Sequence, residues 1–164
     1  MSHQRPFTNG PSHLSDGMIS SSMCGGPSSQ AGHMRYKVIR MRFITRDYVR
    51  ANRNKLFLFG DNLEQRGFGG QAAAMRGEPN AIGIPTKRSP SYAEAAFFTD
   101  NEFEQNKAAI DLAFARIAKA VSNSTRVIVI PSDGLGTGRA ELAKRAPRTF
   151  AYLQSRLTEL SDLS

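Results

Sequence analysis

Three short runs, KLFLFG (55–60), NAIGIP (80–85) and RVIVIP (126–131), are apolar without alternation and stop abruptly at Gly60, Pro85 and Pro131. A strand-length run with no polar face suits a central strand covered on both sides by helices. A fourth run, KVIRMRFIT (37–45), alternates apolar and basic residues, the pattern of a half-buried strand. The spacing predicts at least four strands, three of them central, with each proline ending its strand because it cannot donate to the ladder.

Between the last two runs lies a helix whose start and face are both readable. Thr99 and Glu102 have the spacing of a capping box, and Phe103, Ile110, Phe114, Ile117 and Val121 follow at helical intervals. A shorter helix is expected from Arg139 to Arg145, and Phe150, Leu153, Leu157 and Leu160 give an amphipathic face after Pro147. Strands alternating with helices predict an α/β fold, a three-layer α/β/α sandwich around a mixed, largely parallel sheet.

With 164 residues, 40% of them hydrophobic, the chain has material for one cored domain. Gly, Ser and Pro supply 16 of the first 34 residues, so 1–34 reads as a disordered tail and 35–164 as the domain. The GHM junction at its end is also what a non-native leader leaves, with Met34 or Met41 as alternative starts. No apolar segment follows a basic start and none is long enough to span a bilayer, so the expectation is a soluble, cytoplasmic protein with no membrane partner.

His3, His13, His33 and Cys24 all fall in that tail. The domain therefore has no disulfide, zinc site or imidazole base to offer; no metal or cofactor is expected, and any acid or base must be a carboxylate, Lys, Tyr or water. Residues 35–164 hold 21 Lys and Arg against 13 Asp and Glu, a balance that favours an anionic partner.

Three loops follow strand ends, where backbone N–H groups and helix starts collect ligands. In FGDNLEQRGFGGQAAAMRG (59–77), Asp61 and Asn62 precede Gly67, Gly69 and Gly70, and a small-residue stretch begins at Gln71. Such a stretch lets backbone approach an anion closely, or makes a tight turn before a close-packed helix. In VIVIPSDGLGTGRAEL (127–142), Ser132 and Thr137 bring hydroxyls, Gly134, Gly136 and Gly138 bring flexible backbone, and Arg139 brings charge, the parts a diphosphate needs. Asp133 and Glu141 run against a pure anion site, so at least one should point elsewhere or touch a ribose. In IPTKRSPSY (84–92), Lys87 is placed to reach a phosphate, though a solvated loop charge is the favoured reading; Phe97 and Phe98 are suited to cover the core or stack on a base, with packing favoured.

Together FGDNLEQRGFGGQAAAM and IPSDGLGTGRAEL resemble the two phosphate loops of the macro domain, the ADP-ribose-binding α/β/α module, and especially small macro-like proteins of bacteria and phages. The resemblance implies an ADP-ribose or other NAD-derived ligand. Asn62 then falls on the distal-ribose position, Gly67, Gly69, Gly70 and Gln71 on the first phosphate loop, and Ser132, Asp133, Gly134, Leu135, Gly136, Thr137 and Gly138 with Arg139 on the second. Asp47 falls where such domains read the adenine amino group. If the chain is an ADP-ribosyl hydrolase, Asp61 is the expected general base, with Asn62 orienting the ribose and Asp133 as second choice. The alternatives are a non-catalytic reader of an ADP-ribosylated protein or nucleic acid, and a basic nucleic-acid-binding protein.

Overall fold

The computed structural model describes residues 36–123 and 127–163. The expected tail, 1–34, lies outside the described residues.

Strands β1 (Lys37–Met41), β2 (Lys55–Asn62), β3 (Ala81–Lys87) and β4 (Val127–Pro131) form one sheet in the order β1-β4-β2-β3. All three pairings are parallel, so the sheet is wholly parallel rather than mixed. The helices are α1 (Arg46–Ala51), α2 (Ala72–Met75), α3 (Phe103–Asn123), α4 (Leu142–Arg145) and α5 (Pro147–Asp162).

Several boundaries differ from expectation for identifiable reasons. Only β4 and β2 are central; β3 is an edge strand, which tolerates a residue without an N–H and so runs through Pro85 to Lys87. β1 stops at Met41 because Phe43 takes a positive φ of 52°, incompatible with a strand. Thr45 then opens α1 by accepting the Tyr48 N–H at 3.2 Å.

The capping box does not form. A 3-10 turn, Asp100–Glu102, precedes α3, the Thr99 side chain caps nothing, and the Glu102 carboxylate pairs with Arg88. The Thr99 carbonyl instead accepts the Glu102 N–H at 3.2 Å and the Asn106 amide at 2.9 Å. Further along, Ile110, Phe114, Ile117 and Val121 are buried as their spacing requires, whereas Phe103 is half-buried and edge-on to Tyr152.

Alternate strand residues face two hydrophobic clusters. Leu56, Leu58, Ile84, Ile128 and Ile130 join residues of α3, α4 and α5; Phe57, Phe59 and Val129 join Val49 of α1 and Ala72 and Met75 of α2. Among the described residues the first cluster holds seventeen buried residues and the second six, so burial anchors α3 and α5 far more strongly than α1 and α2. No helix among the described residues is long and apolar enough to cross a membrane.

Helix α5 starts with Pro147, and its next two amides are satisfied from elsewhere in the chain. One Asp100 oxygen accepts the Arg148 N–H at 2.8 Å; the other accepts the Thr149 N–H and hydroxyl, both at 3.0 Å. Burial pushes the Asp100 carboxyl up, but these amide bonds outweigh it and hold it below the usual aspartate range. An Asp100→Ala variant should lose about 1–2 kcal/mol in urea denaturation at neutral pH. Because the native carboxyl is the more acidic, this difference is full above the ordinary aspartate range and shrinks as pH falls through the depressed value. An unchanged urea midpoint would show that the clamp contributes nothing.

Candidate functional site

Adjacent parallel strands β2 and β4 end on the same edge of the sheet. From there the chain departs in opposite directions: α2 packs into the smaller cluster, while α4 and α5 pack into the larger. A crevice opens where neighbouring connections part in this way. It holds about 460 Å³ and is bounded by Gly60 to Asn62, Arg66 to Ala72 and Gly136 to Ala140, with Arg76, Thr86, Lys87, Tyr92 and Asp133 among the rest of the lining.

One side chain joins the two loops across this crevice. The Gln71 carbonyl oxygen accepts the Gly60 N–H at 2.9 Å, and its amide nitrogen donates to the Gly134 carbonyl at 2.9 Å. Close packing fixes the second loop from beneath. Gly136 has φ 77°, and a Cβ there would lie 2.9 Å from Leu142 Cδ2. That combination demands glycine. The amides of Gly69, Gly70 and Gln71, and those of Gly136, Thr137 and Gly138, donate to no other described residue. They are the kind of backbone donors that take an anion.

Cations occupy both sides of the crevice. Arg139, exposed, reaches from the second loop over the first: a Cβ on Gly69 would stand 2.6 Å from its Nη1. Its guanidinium has no carboxylate partner among the described residues. Lys87, at the end of β3, is 7% exposed rather than a solvated loop charge. Its ammonium lies 4.0 Å from the Phe97 ring centroid and 4.7 Å from that of Tyr92, and donates to the Arg139 carbonyl at 3.5 Å. Burial lowers the Lys87 pKa below the usual lysine range; Arg145 and Arg139 add to this, against an opposing pull from Glu141. Phe97 and Phe98 are buried, as expected of packing residues.

Asp61 is held rather than free. Both of its oxygens accept from the Arg76 guanidinium, and one also accepts the Asn62 N–H at 2.6 Å. Gly83 on the neighbouring strand makes this possible, since a Cβ there would collide with the carboxylate. A carboxylate engaged in this way braces the loop, and it would have to leave Arg76 to serve as the base expected of it. Asn62, 8% exposed, donates its side-chain amide to the Arg66 carbonyl at 2.9 Å, and so shapes its own loop.

Of the other expected residues, Gly67, Gly69, Gly70, Gln71, Asp133, Gly136, Thr137, Gly138 and Arg139 line the crevice. Ser132, Gly134 and Leu135 do not. The Ser132 N–H donates to Met41, Gly134 supplies its carbonyl to Gln71, and Leu135 is fully buried in the larger cluster. Thr137 turns its hydroxyl onto the Asp133 carbonyl at 2.6 Å, away from the role of a free donor. Asp47 lies exposed in the first turn of α1, outside the crevice lining, where a carboxylate favours the helix dipole. Glu141 pairs with Arg145 at 2.7 Å. Asp133 remains exposed in the lining, with no ion-pair partner among the described residues.

Sequence reasoning missed Arg76, Phe68 and Tyr92 as crevice residues and ranked the phosphate-reaching role of Lys87 second. Only Arg76 carried a local signal, an arginine directly after the small-residue stretch.

Residues 39–156 match the model of a family described as a family of unknown function (DUF7831). No curated protein and no solved structure matches the chain.

Replacing the buried ammonium with an apolar chain, Lys87→Met, should raise the melting temperature at neutral pH. Because the native lysine is the weaker base, wild-type stability climbs with pH from the depressed value toward the ordinary lysine range, and the variant's advantage shrinks there. Thermal melts across the alkaline range check the sign; a variant melting lower at neutral pH would contradict it.

Proposed function

We propose that this chain, which belongs to the DUF7831 family, binds ADP-ribose or a related NAD-derived nucleotide, with the diphosphate held between the two glycine loops. The observation carrying this reading is that both loops meet at one end of the sheet, tied by Gln71, and line a crevice of about 460 Å³ with amides that have no partner among the described residues. That volume falls within the range of small-molecule sites. Arg139 supplies the cation over the diphosphate, and Lys87 supplies a second, partly desolvated one at the end of β3. Helices packed on alternate strand residues are compatible with the three-layer α/β/α frame that the macro resemblance implies.

The same geometry favours recognition without turnover. Asp61, the carboxylate expected to activate water for attack at the ribose C1″, is neutralised by Arg76. Hydrolysis by this crevice would fall to Asp133, the lining carboxylate left without an ion partner. The reader role, engaging an ADP-ribosylated protein or nucleic acid, needs no base at all.

Thermal-shift screening tests the reading. ADP-ribose at a hundredfold its dissociation constant should add about 2.7 kcal/mol to folding stability. Arg139→Gln should weaken binding by about tenfold or more in calorimetry, with an unchanged melting temperature of the free protein. The absence of any shift with ADP-ribose, NAD and simple nucleotides would remove the proposal. Release of ADP-ribose from a modified substrate would establish turnover, and its loss in Asp133→Asn would place the base there.

A further inference from the structure

Charge along the chain is concentrated far from evenly. Residues 37–55 contain seven Lys and Arg and one Asp, a net +6 within a chain whose total is +8. Three of these cations, Arg46, Arg50 and Arg53, stand at i, i+4 and i+7 on α1 and the turn after it, a spacing that places them along one side of a helix.

All three meet a single carboxylate. Glu78 lies 2.7 Å from Arg46, 2.9 Å from Arg50 and 3.3 Å from Arg53, with its own side chain only 5% exposed. Burial pushes the Glu78 carboxyl up, and Arg50 with Arg46 pulls it back below the ordinary glutamate range. One negative charge against three positive leaves two in excess. Arg46 is spent on the carbonyls of Ala73 and Arg76. The other two are not. Arg50 uses only its Nε, Arg53 uses only one terminal nitrogen, and their side chains are 54% and 49% exposed. Their remaining N–H groups make no bond to another described residue, on half-exposed guanidiniums that Glu78 holds at another nitrogen.

We propose that this arginine row is a docking surface for the phosphodiester backbone of a nucleic acid, with Arg50 and Arg53 as its phosphate ligands. Guanidinium forks already oriented by Glu78 lose little freedom on accepting phosphate oxygens, and phosphate is the anion whose geometry they fit. Continuity with an aromatic favours a nucleic acid over an acidic peptide. Arg46, at the head of the row, lies 5.9 Å from the ring centroid of Phe68, which is 66% exposed and offers a face on which a base can stack. Arg46, Arg50 and Arg53 lie outside the crevice lining, which the row meets only at Phe68, so phosphate binding by the row does not depend on what the glycine-loop amides bind.

The test is fluorescence anisotropy of a labelled oligothymidylate of about twelve nucleotides, titrated with the full chain at several salt concentrations. Wild type should bind with strongly salt-dependent affinity. Arg50→Ala/Arg53→Ala should bind at least about tenfold more weakly, with the log–log salt slope flattened by about 1.4, the value of two single-strand phosphate contacts. Its thermal shift with ADP-ribose should match that of wild type, which separates this surface from the crevice. Should the double variant fail to fold, Arg50→Gln, which leaves two arginines on Glu78, should give about half that flattening. Arg116→Ala/Lys119→Ala, removing two exposed cations from α3, should leave the affinity unchanged. The proposal is overturned by a wild-type slope in the arginine variants, by an equal loss in the α3 variant, or by polyglutamate of matched charge binding more tightly than the oligonucleotide.

Discussion

The crevice exists as a defined shape because one glutamine spans it. Two glycine loops leaving adjacent strands for different hydrophobic clusters have no reason to keep a fixed separation. Gln71, in the first loop, supplies the reason, its carbonyl accepting the N–H of Gly60 in β2 and its amide donating to the Gly134 carbonyl of the second loop. Each bond is modest in net worth, but the groups it satisfies are partly buried backbone that would otherwise go unpaired. Leu142 beneath Gly136 and Arg76 beside Asp61 then fix each loop on its own side.

Charge in and around the crevice is arranged without histidine among the described residues. The acidic groups are largely neutralised locally, Asp61 by Arg76, Glu141 by Arg145 and Glu78 by three arginines, while Lys87 and Arg139 form no ion pair with a carboxylate among the described residues. This pattern leaves two cations among the lining residues that also carry the unbonded loop amides. A protein that only needed stability would gain by pairing or removing the buried lysine.

Much of the frame was legible in the sequence because it depends on local periodicity. The apolar runs at 55–60 and 126–131 became the two central strands, and the 110–121 stripe became the buried face of α3. What escaped depends on neighbours distant in sequence. Glu102 has capping-box spacing, yet Arg88 takes its carboxylate. Lys87 is followed at once by polar loop residues, yet Phe97, ten positions on, folds back beneath its ammonium. Asp61 looked like a free base at a strand end until Gly83 and Arg76 were brought against it. The glycines of the site were readable as flexible backbone, but nothing local marked Gln71 as the group that joins them.

The inequality of the two clusters gives the molecule a direction of softness. Helices α1 and α2 are short and share six buried residues with the sheet, whereas the opposite side is secured by seventeen. Spontaneous opening should therefore begin on the thin side, where amide protons exchange earliest and the glycine-rich lip of the crevice is attached. An occupant that bridges both lips would suppress that exchange from a distance, so that the weaker half of the protein reports on what the stronger half helps to hold.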